Sequence, residues 1–271
     1  MTELKYKFTN DILFKLLFVQ YPDLLKRLVA ALLSIPFESI GEFVIINPDM
    51  PPEVMGEKFC RLDINMTVNG QRVDLEIQVK NEGDYPERSM YYWAREFSTA
   101  LGESEQYIDL PRTIVASIVA FKMFECAEFH SEFQALEVKR HERLTDKFSL
   151  HFFELPKIPK TVSKDDGLKL WLALFNAKTE EELKQIEALE VPIMKEAIGA
   201  YRTVTATDKF KELERLRSRA RHNEASALGH ARREGYREAD EKWQGVVGEK
   251  DTTIAKQAEL IAELQAKLNK Q

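Results

Sequence analysis

The pair Asn69-Gly70, between two alternating stretches, is the feature that most constrains the fold of this 271-residue chain. Apolar and polar residues alternate through residues 61–68 and again through residues 71–80. Asn and Gly both tolerate the positive φ angles of a type I′ turn, so the pattern predicts a β-hairpin over about residues 58–80. A two-residue turn also fixes the register, because Val68 must then face Gln71.

This register divides the hairpin into an apolar face and a face that carries two acids. It places Asp63 directly opposite Glu76, with Cβ atoms about 5 Å apart. Like charges at that distance destabilise a hairpin unless a cation lies between them, and a hard divalent ion such as Mg²⁺ would remove the repulsion. The alternative is a solvated face on which two acids happen to meet. A slip of one residue in register would separate them.

Composition limits the environment and the function class. A hydrophobic content of 44% supports a buried core, and a net charge of −6 gives no overall basic signature for nucleic acid, so any such contact needs a local patch. The chain has two cysteines, Cys60 and Cys126, and no signal peptide or membrane-length apolar run, so we expect a cytoplasmic protein. Zinc, P-loop, dinucleotide and Gly-x-Ser-x-Gly motifs do not occur.

The remaining pattern predicts a mixed α/β domain followed by helices. Helices are expected from about Asp11, from Pro22 and from Tyr85, buried strands at 114–121 and 147–155, and only helices from 164 onward. We therefore predict an α/β core at residues 1–160, a helical region with a basic segment at 161–245 and a coiled-coil tail at 246–271.

The last two of these regions carry separate signals. Residues 215–233 contain six arginines and one acid, a net charge of +5, which suits a nucleic-acid backbone or, alternatively, a solvated helix face. Apolar residues then recur every seven positions, at Val247, Ile254, Ile261 and Leu268. This repeat predicts a short coiled coil that drives self-association, with a single helix as the alternative.

Several residues beside the hairpin suit phosphate chemistry. The order Glu76-Ile77-Gln78 lets the Ile77 carbonyl join a metal site while Gln78 returns to the acid-bearing face. Gln78 cannot take a proton, so it could only orient water or contact a phosphate oxygen. Lys80 lies on the same face and suits a phosphate charge, although an ordinary lysine at a strand end fits equally.

Two predicted helices supply further candidates. Asp11 and Lys15 lie four residues apart, which suits an ion pair worth a few tenths of a kcal/mol. The functional alternative makes Asp11 a third acid of the metal site. Arg88, Tyr92 and Arg95 recur at helical spacing, and guanidinium forks and phenol hydroxyls suit phosphate oxygens. An amphipathic helix with solvated arginines explains the same spacing.

An ordered set of segments resembles the Rpn proteins, recombination-promoting nucleases that are transposase-like members of the PD-(D/E)XK superfamily. The resemblance covers nearly the whole chain up to about residue 240. The segments are Thr9–Lys15, Leu62-Asp63, Leu75–Gln78, Tyr85–Ala94, Leu144-Thr145, Phe153–Lys157 and residues 231–235.

This resemblance implies a restriction-endonuclease-like core, a mixed sheet flanked by helices with acids at its centre. Asp63 and Glu76 match the two family acids, and Asp11 matches the acid on the first helix. Gln78 departs from the lysine that many superfamily members carry. The implied activity is cleavage of DNA phosphodiesters with Mg²⁺, or Mn²⁺ as a substitute, in DNA recombination or mobile-element-like processes. The homo-oligomer is expected separately, from the coiled-coil pattern of the C-terminal helix.

The expected site can therefore be stated residue by residue. The catalytic set is Asp63, Glu76, Gln78, Asp11 and Lys80, and the metal ligands are Asp63, Glu76 and the Ile77 carbonyl. The expected DNA contacts are Lys15, Arg88, Tyr92 and Arg95. The alternative function is a catalytically weak regulatory module that binds DNA or protein on the same fold, and the acids alone do not distinguish a DNA nuclease from an RNA nuclease.

Overall fold

The computed structural model describes residues 2–47, 64–102 and 104–269, and within these ranges the chain forms seven α-helices and six β-strands. The helices are α1 (Asp11–Gln20), α2 (Pro22–Leu32), α3 (Tyr85–Ser98), α4 (Gly167–Asn176), α5 (Glu180–Glu187), α6 (Pro192–Ala206) and α7 (Asp208–Leu268). The strands are β1 (Phe43–Ile45), β2 (Ile64–Val68), β3 (Gln71–Gln78), β4 (Thr113–Val119), β5 (His130–Phe133) and β6 (Phe148–Glu154).

The predicted hairpin is formed by β2 and β3 in the predicted register, with Val68 opposite Gln71. Asn69 and Gly70 have φ angles of 48° and 74°, the positive values that a type I′ turn requires. The Asn69 side chain also ties the turn to the segment before β1. Its oxygen accepts the N–H groups of Gly41 and Glu42, at 2.9 and 3.1 Å. The turn residue therefore holds a second part of the chain in place.

The six strands form one mixed sheet in the order β1-β2-β3-β4-β6-β5. The central strands β3, β4 and β6 run parallel, whereas β1, β2 and β5 pair antiparallel with their neighbours. Every residue of β4 is buried, as expected for a central parallel strand that is covered on both faces. The mixed sheet predicted from the sequence is confirmed.

The register assigns side chains to two faces of the sheet. The face that carries Asp74, Glu76 and Ser117 is called the acid face, and the face that carries Ser149 and His151 is called the histidine face. Helix α3 covers the acid face, where Tyr85 and Trp93 belong to an apolar cluster with side chains of β4 and β6. The Trp93 indole N–H donates to the Thr113 carbonyl at 2.9 Å, which fixes the helix over the sheet.

The N-terminal helices pack with the helices that follow the sheet. Helix α1 is almost entirely buried and contacts α2 and α6, while α2 also contacts α4. The rings of Phe18 and Phe175 lie 6.1 Å apart, and those of Phe8 and Tyr201 stack at 4.6 Å. Because of these contacts, helices α4, α5 and α6 belong to the same compact unit as the sheet, Met1–Glu212. Residues Leu213–Gln271 form a second unit.

No helix in the described part of the chain combines the length and the apolar character needed to cross a membrane.

Candidate active site

Strand β3 places two carboxylates on the acid face. Asp74 and Glu76 lie two residues apart and therefore project to the same side of the sheet. They are only 2% and 9% exposed. The strand pairings put Asp74 opposite Asn65 and Glu76 beside Ser117. This part of the hairpin is thus not a solvated polar face, because α3 covers it.

Tyr85, the first residue of α3, lies close enough to these acids for their charges to affect the pKa of its phenol. Its side chain is almost completely buried, and this burial raises the pKa of the phenol well above its usual range. The negative charges of Glu76 and Asp74 raise the pKa further, whereas Ser117 and the Arg88 guanidinium lower it. Glu76 and Asp74 therefore contribute negative charge to a buried part of the acid face, and such a charge favours a cation.

Arg88 lies at the edge of the acid face. Its Nη1 forms an ion pair of 2.9 Å with Glu82, and its guanidinium carbon lies 5.0 Å from the ring centre of Tyr85 and 5.9 Å from that of Tyr92. The Arg88 side chain remains 25% exposed. Arg95, about two helical turns further along α3, is exposed. The structure thus places the three predicted DNA contacts of α3 on one stretch of that helix.

Gln78 and Lys80 lie at the end of β3. The Gln78 side-chain amide donates to the Lys80 carbonyl at 2.8 Å, and the Gln78 carbonyl accepts the Ala120 N–H at 2.9 Å. Lys80 is exposed, whereas Gln78 and Ile77 are half-buried. Gln78 lies two residues after Glu76 on β3 and so projects from the same face. Its side-chain nitrogen is engaged by the Lys80 carbonyl.

Helix α1 carries Asp11 in its first turn and brings Lys15 toward the start of β2. The Asp11 carboxylate accepts the Ile12 N–H at 2.9 Å, at the first turn of the helix. Lys15 is only 1% exposed, and its ammonium donates to the Asn47 carbonyl. The Asn47 side chain in turn accepts the Asn65 N–H at 2.8 Å. The position of Lys15 thus suits a role inside the site better than direct contact with a DNA backbone.

Asp63 lies outside the described residues, so the predicted pairing of Asp63 with Glu76 lies outside them too. Across residues 2–47, 64–102 and 104–269, no three His, Cys, Asp or Glu side chains are grouped so as to hold a metal ion. The described oxygen donors nevertheless have the chemistry that Mg²⁺ prefers, because Glu76 and Asp74 bring carboxylates to a region of negative potential.

Sequence reasoning missed three residues of this region. Asp74 follows from the same alternation that selected Glu76, since both lie on one face of β3. Ser117 carries no signal of its own, because it lies in a strand that is otherwise apolar. Glu96 of α3 accepts a hydrogen bond of 3.1 Å from the Asn65 side chain, a contact that only the packing of α3 creates.

A mixed six-stranded sheet flanked by helices, with acids on a central strand, is consistent with a restriction-endonuclease-like α/β protein. The family described as PD-(D/E)XK nuclease family transposase matches residues 8–231, and the chain belongs to that family. The resemblance found in the sequence is therefore confirmed at the level of family and fold. No curated protein and no solved structure matches the chain significantly.

Proposed function

We propose that this protein is a metal-dependent DNA endonuclease that cleaves phosphodiester bonds and promotes DNA recombination. Membership of the nuclease and transposase family supports a nuclease-like role. The observation that carries the proposal is the burial of Glu76 and Asp74 on the acid face, where burial first, and then the charges of these two acids, raise the pKa of Tyr85. Buried like charges are costly, so their retention is typical of a functional site.

The proposed metal ligands are Asp63, Glu76 and the carbonyl of Ile77, for Mg²⁺ or for Mn²⁺ as a substitute. When bound, the ion would supply Lewis-acid chemistry to a phosphate and make water more acidic. Asp74 lies beside Glu76 on the acid face and adds to the negative potential there.

The protein's own side chains would bind and orient the DNA strand. Arg88 is fixed by Glu82 and by the Tyr85 ring, so its guanidinium offers a held donor to a phosphate oxygen at the edge of the acid face. Tyr92 and Arg95 extend this surface along α3. In this proposal these three residues hold the strand while the acid face performs the cleavage.

The remaining predicted residues have supporting roles in the proposal. Gln78 orients water or a phosphate oxygen, because an amide cannot remove a proton. Lys80 adds an exposed positive charge at the end of β3. Asp11 and Lys15 act from α1, where the bond from Lys15 to Asn47 connects the helix to the strand that directly follows Asp63.

We further propose that the protein works in the cytoplasm as a homo-oligomer joined through α7. The side chains of the seven-residue repeat are more than half exposed on this helix, from Val247 at 53% to Leu268 at 73%. A second copy would cover them in a coiled coil. The basic segment 215–233 is a further candidate contact for the DNA backbone.

Cleavage of supercoiled plasmid, measured with EDTA, Mg²⁺, Mn²⁺ or Ca²⁺, tests the activity and its metal. The proposal expects nicking with Mg²⁺ or Mn²⁺, none with EDTA, and loss of nicking in Asp63→Ala. The matched control is Glu125→Gln, which alters an exposed acid outside the site and should cleave like the wild type. Metal-independent cleavage, or full activity in a folded Asp63→Ala protein, would refute the proposal.

The alternative is a catalytically weak module that binds DNA or a partner protein. Gln78 favours it, because this residue stands where many members of the superfamily carry lysine. Such a module should shift DNA equally with and without Mg²⁺ and should cut neither DNA nor RNA. An electrophoretic mobility assay beside the cleavage assay, with matched DNA and RNA substrates, distinguishes three functions: a DNA nuclease, an RNA nuclease and a binding module.

A further inference from the structure

A cavity of about 130 Å³ lies on the histidine face, on the opposite side of the sheet from the candidate active site. It lies near the β2–β3 turn, beyond the C-terminal end of α2. Apolar and polar side chains share its lining, with polar ones in the majority. The apolar residues are Leu33, Ile35, Val68 and Ile114, and the polar residues are Asn69, Gln71, Arg112, Glu132 and His151.

The polar part of the lining contains a chain of hydrogen bonds with a defined direction. The Glu132 carboxylate can only accept, so the Ser149 hydroxyl donates to it at 3.2 Å. Burial lowers the pKa of His130 and that of His151, so both imidazoles are neutral at neutral pH. With both neutral, Ser149 accepts from Nε2 of His151 at 2.9 Å, and Nδ1 of His151 accepts from Nε2 of His130 at 3.0 Å.

Arg112 supplies the positive charge of this lining. Its Nε is buried and has no hydrogen-bond partner among the described residues. Burial alone would raise the pKa of Glu132, but a hydrogen bond from Gln134, the neighbouring His151, a hydrogen bond from Ser149 and, to the smallest extent, the charge of Arg112 lower it below its usual value. Oε1 of Glu132 already accepts from Gln134 at 2.6 Å and from Ser149 at 3.2 Å and lies 3.9 Å from Nε2 of His151. The capacity for a ligand therefore lies with Oε2 of Glu132 and with the Arg112 guanidinium, which form no ion pair with each other in the described part of the chain.

This combination of charges selects the ligand. An anion would be repelled by Glu132, and an amine would be repelled by Arg112. A neutral ring that carries a hydrogen-bond acceptor and a donor satisfies both. The volume is close to that of a cavity of about 150 Å³ that accommodates benzene, so it suits one six-membered ring, and a bicyclic base would leave part of its ring system outside.

We propose that this cavity binds a single nucleobase, with an acceptor of the base on Arg112 and its amino group on Glu132. Arginine contacts O6 and N7 of guanine, and carboxylates accept from the amino group of cytosine. Guanine, cytosine and adenine all carry a ring acceptor and an exocyclic amino donor. Uracil and thymine offer Glu132 only the N3–H, which lies between two carbonyl oxygens that repel the carboxylate.

Calorimetric titration of the full-length protein with guanosine, cytidine, adenosine, uridine and thymidine tests this site. At least one of the three nucleosides that carry an amino group should bind at least tenfold more tightly than uridine and thymidine. Binding should weaken at least tenfold in Arg112→Gln and in Glu132→Gln. The amide introduced by Glu132→Gln could still accept from Ser149, so that variant should fold. Arg143→Gln, at an exposed arginine outside the cavity, is the matched control and should bind like the wild type.

The base could come from a free nucleoside or from an unpaired position in a strand. A duplex with one bulged guanine, compared with the same duplex carrying an abasic bulge, distinguishes these sources. Preferential binding of the bulged guanine that is lost in Arg112→Gln supports the strand as the source. The proposal is overturned if the folded wild type binds neither nucleosides nor the bulged base, or if both cavity variants bind normally. It does not depend on the proposed nuclease activity.

Discussion

The side-chain amide of Asn65 donates a hydrogen bond of 3.1 Å to the carboxylate of Glu96, joining β2 to α3 across the acid face. Asn65 also pairs with Asp74 in the hairpin, and its backbone N–H donates to the Asn47 side chain. The residue thus connects the strand, the covering helix and the segment that Lys15 contacts. This contact contributes to holding α3 over the two buried acids.

Removal of this contact should loosen the cover of the acid face. Glu96→Ala leaves a partly buried amide without its acceptor, so we expect the free energy of unfolding to fall by about 1 kcal/mol. Glu96→Gln retains an acceptor oxygen and should lose less. Urea denaturation of both variants beside the wild type measures the difference. Equal stability of Glu96→Ala and the wild type would show that the contact does not hold the helix.

Stability should fall in mild acid because of His151. Burial lowers its pKa from the ordinary 6.5 to about 4, with a smaller opposing contribution from Glu132. Between these values the unfolded chain binds a proton that the folded chain does not bind, so stability decreases as the pH falls from 6.5 to 4. The shift corresponds to at most about 3 kcal/mol. Urea denaturation of His151→Gln and the wild type at several pH values isolates this contribution.

The acid dependence has a clear control. His230 lies exposed on α7, so His230→Gln should leave the pH dependence of stability unchanged. A wild-type protein and a His151→Gln protein with the same slope between pH 6.5 and 4 would contradict the account of the hydrogen-bond chain.

Self-association should depend on the seven-residue repeat of α7. Ile261→Glu places a charge in the proposed seam, so we expect the oligomer to dissociate at concentrations where the wild type remains associated. Ala262→Glu adds the same charge outside the seam and should have little effect. Sedimentation equilibrium measures both. A wild-type protein that is monomeric throughout would refute the coiled-coil proposal.

The hairpin, the central strands and the helices were predictable because their signals are local. Asn69-Gly70 predicted both the turn and the register. The short apolar run of β4, rich in β-branched residues, is typical of a buried strand. Strand β5 was not predicted, since His130–Phe133 is a short and half-polar edge strand whose formation depends on β6.

The site was predictable only in part, because burial is a property of the whole fold. Alternation placed Glu76 and Gln78 on one face but could not reveal that α3 covers Asp74 there. The same limit applies to Lys15, an expected DNA contact whose side chain is buried on α1. The histidine chain was also missed, since its four residues come from two distant strands that meet only in the sheet.

The most direct test of the central claim is single-turnover cleavage of plasmid DNA by Glu76→Gln in Mg²⁺. The substitution retains the size of the side chain and removes one of the buried charges, so circular dichroism should show an intact fold. The account predicts a loss of at least about 1000-fold in the cleavage rate, of the order expected for loss of an essential electrostatic contact, while Glu125→Gln cleaves normally. A folded Glu76→Gln protein that cleaves at the wild-type rate would contradict the assignment of the acid face as the active site.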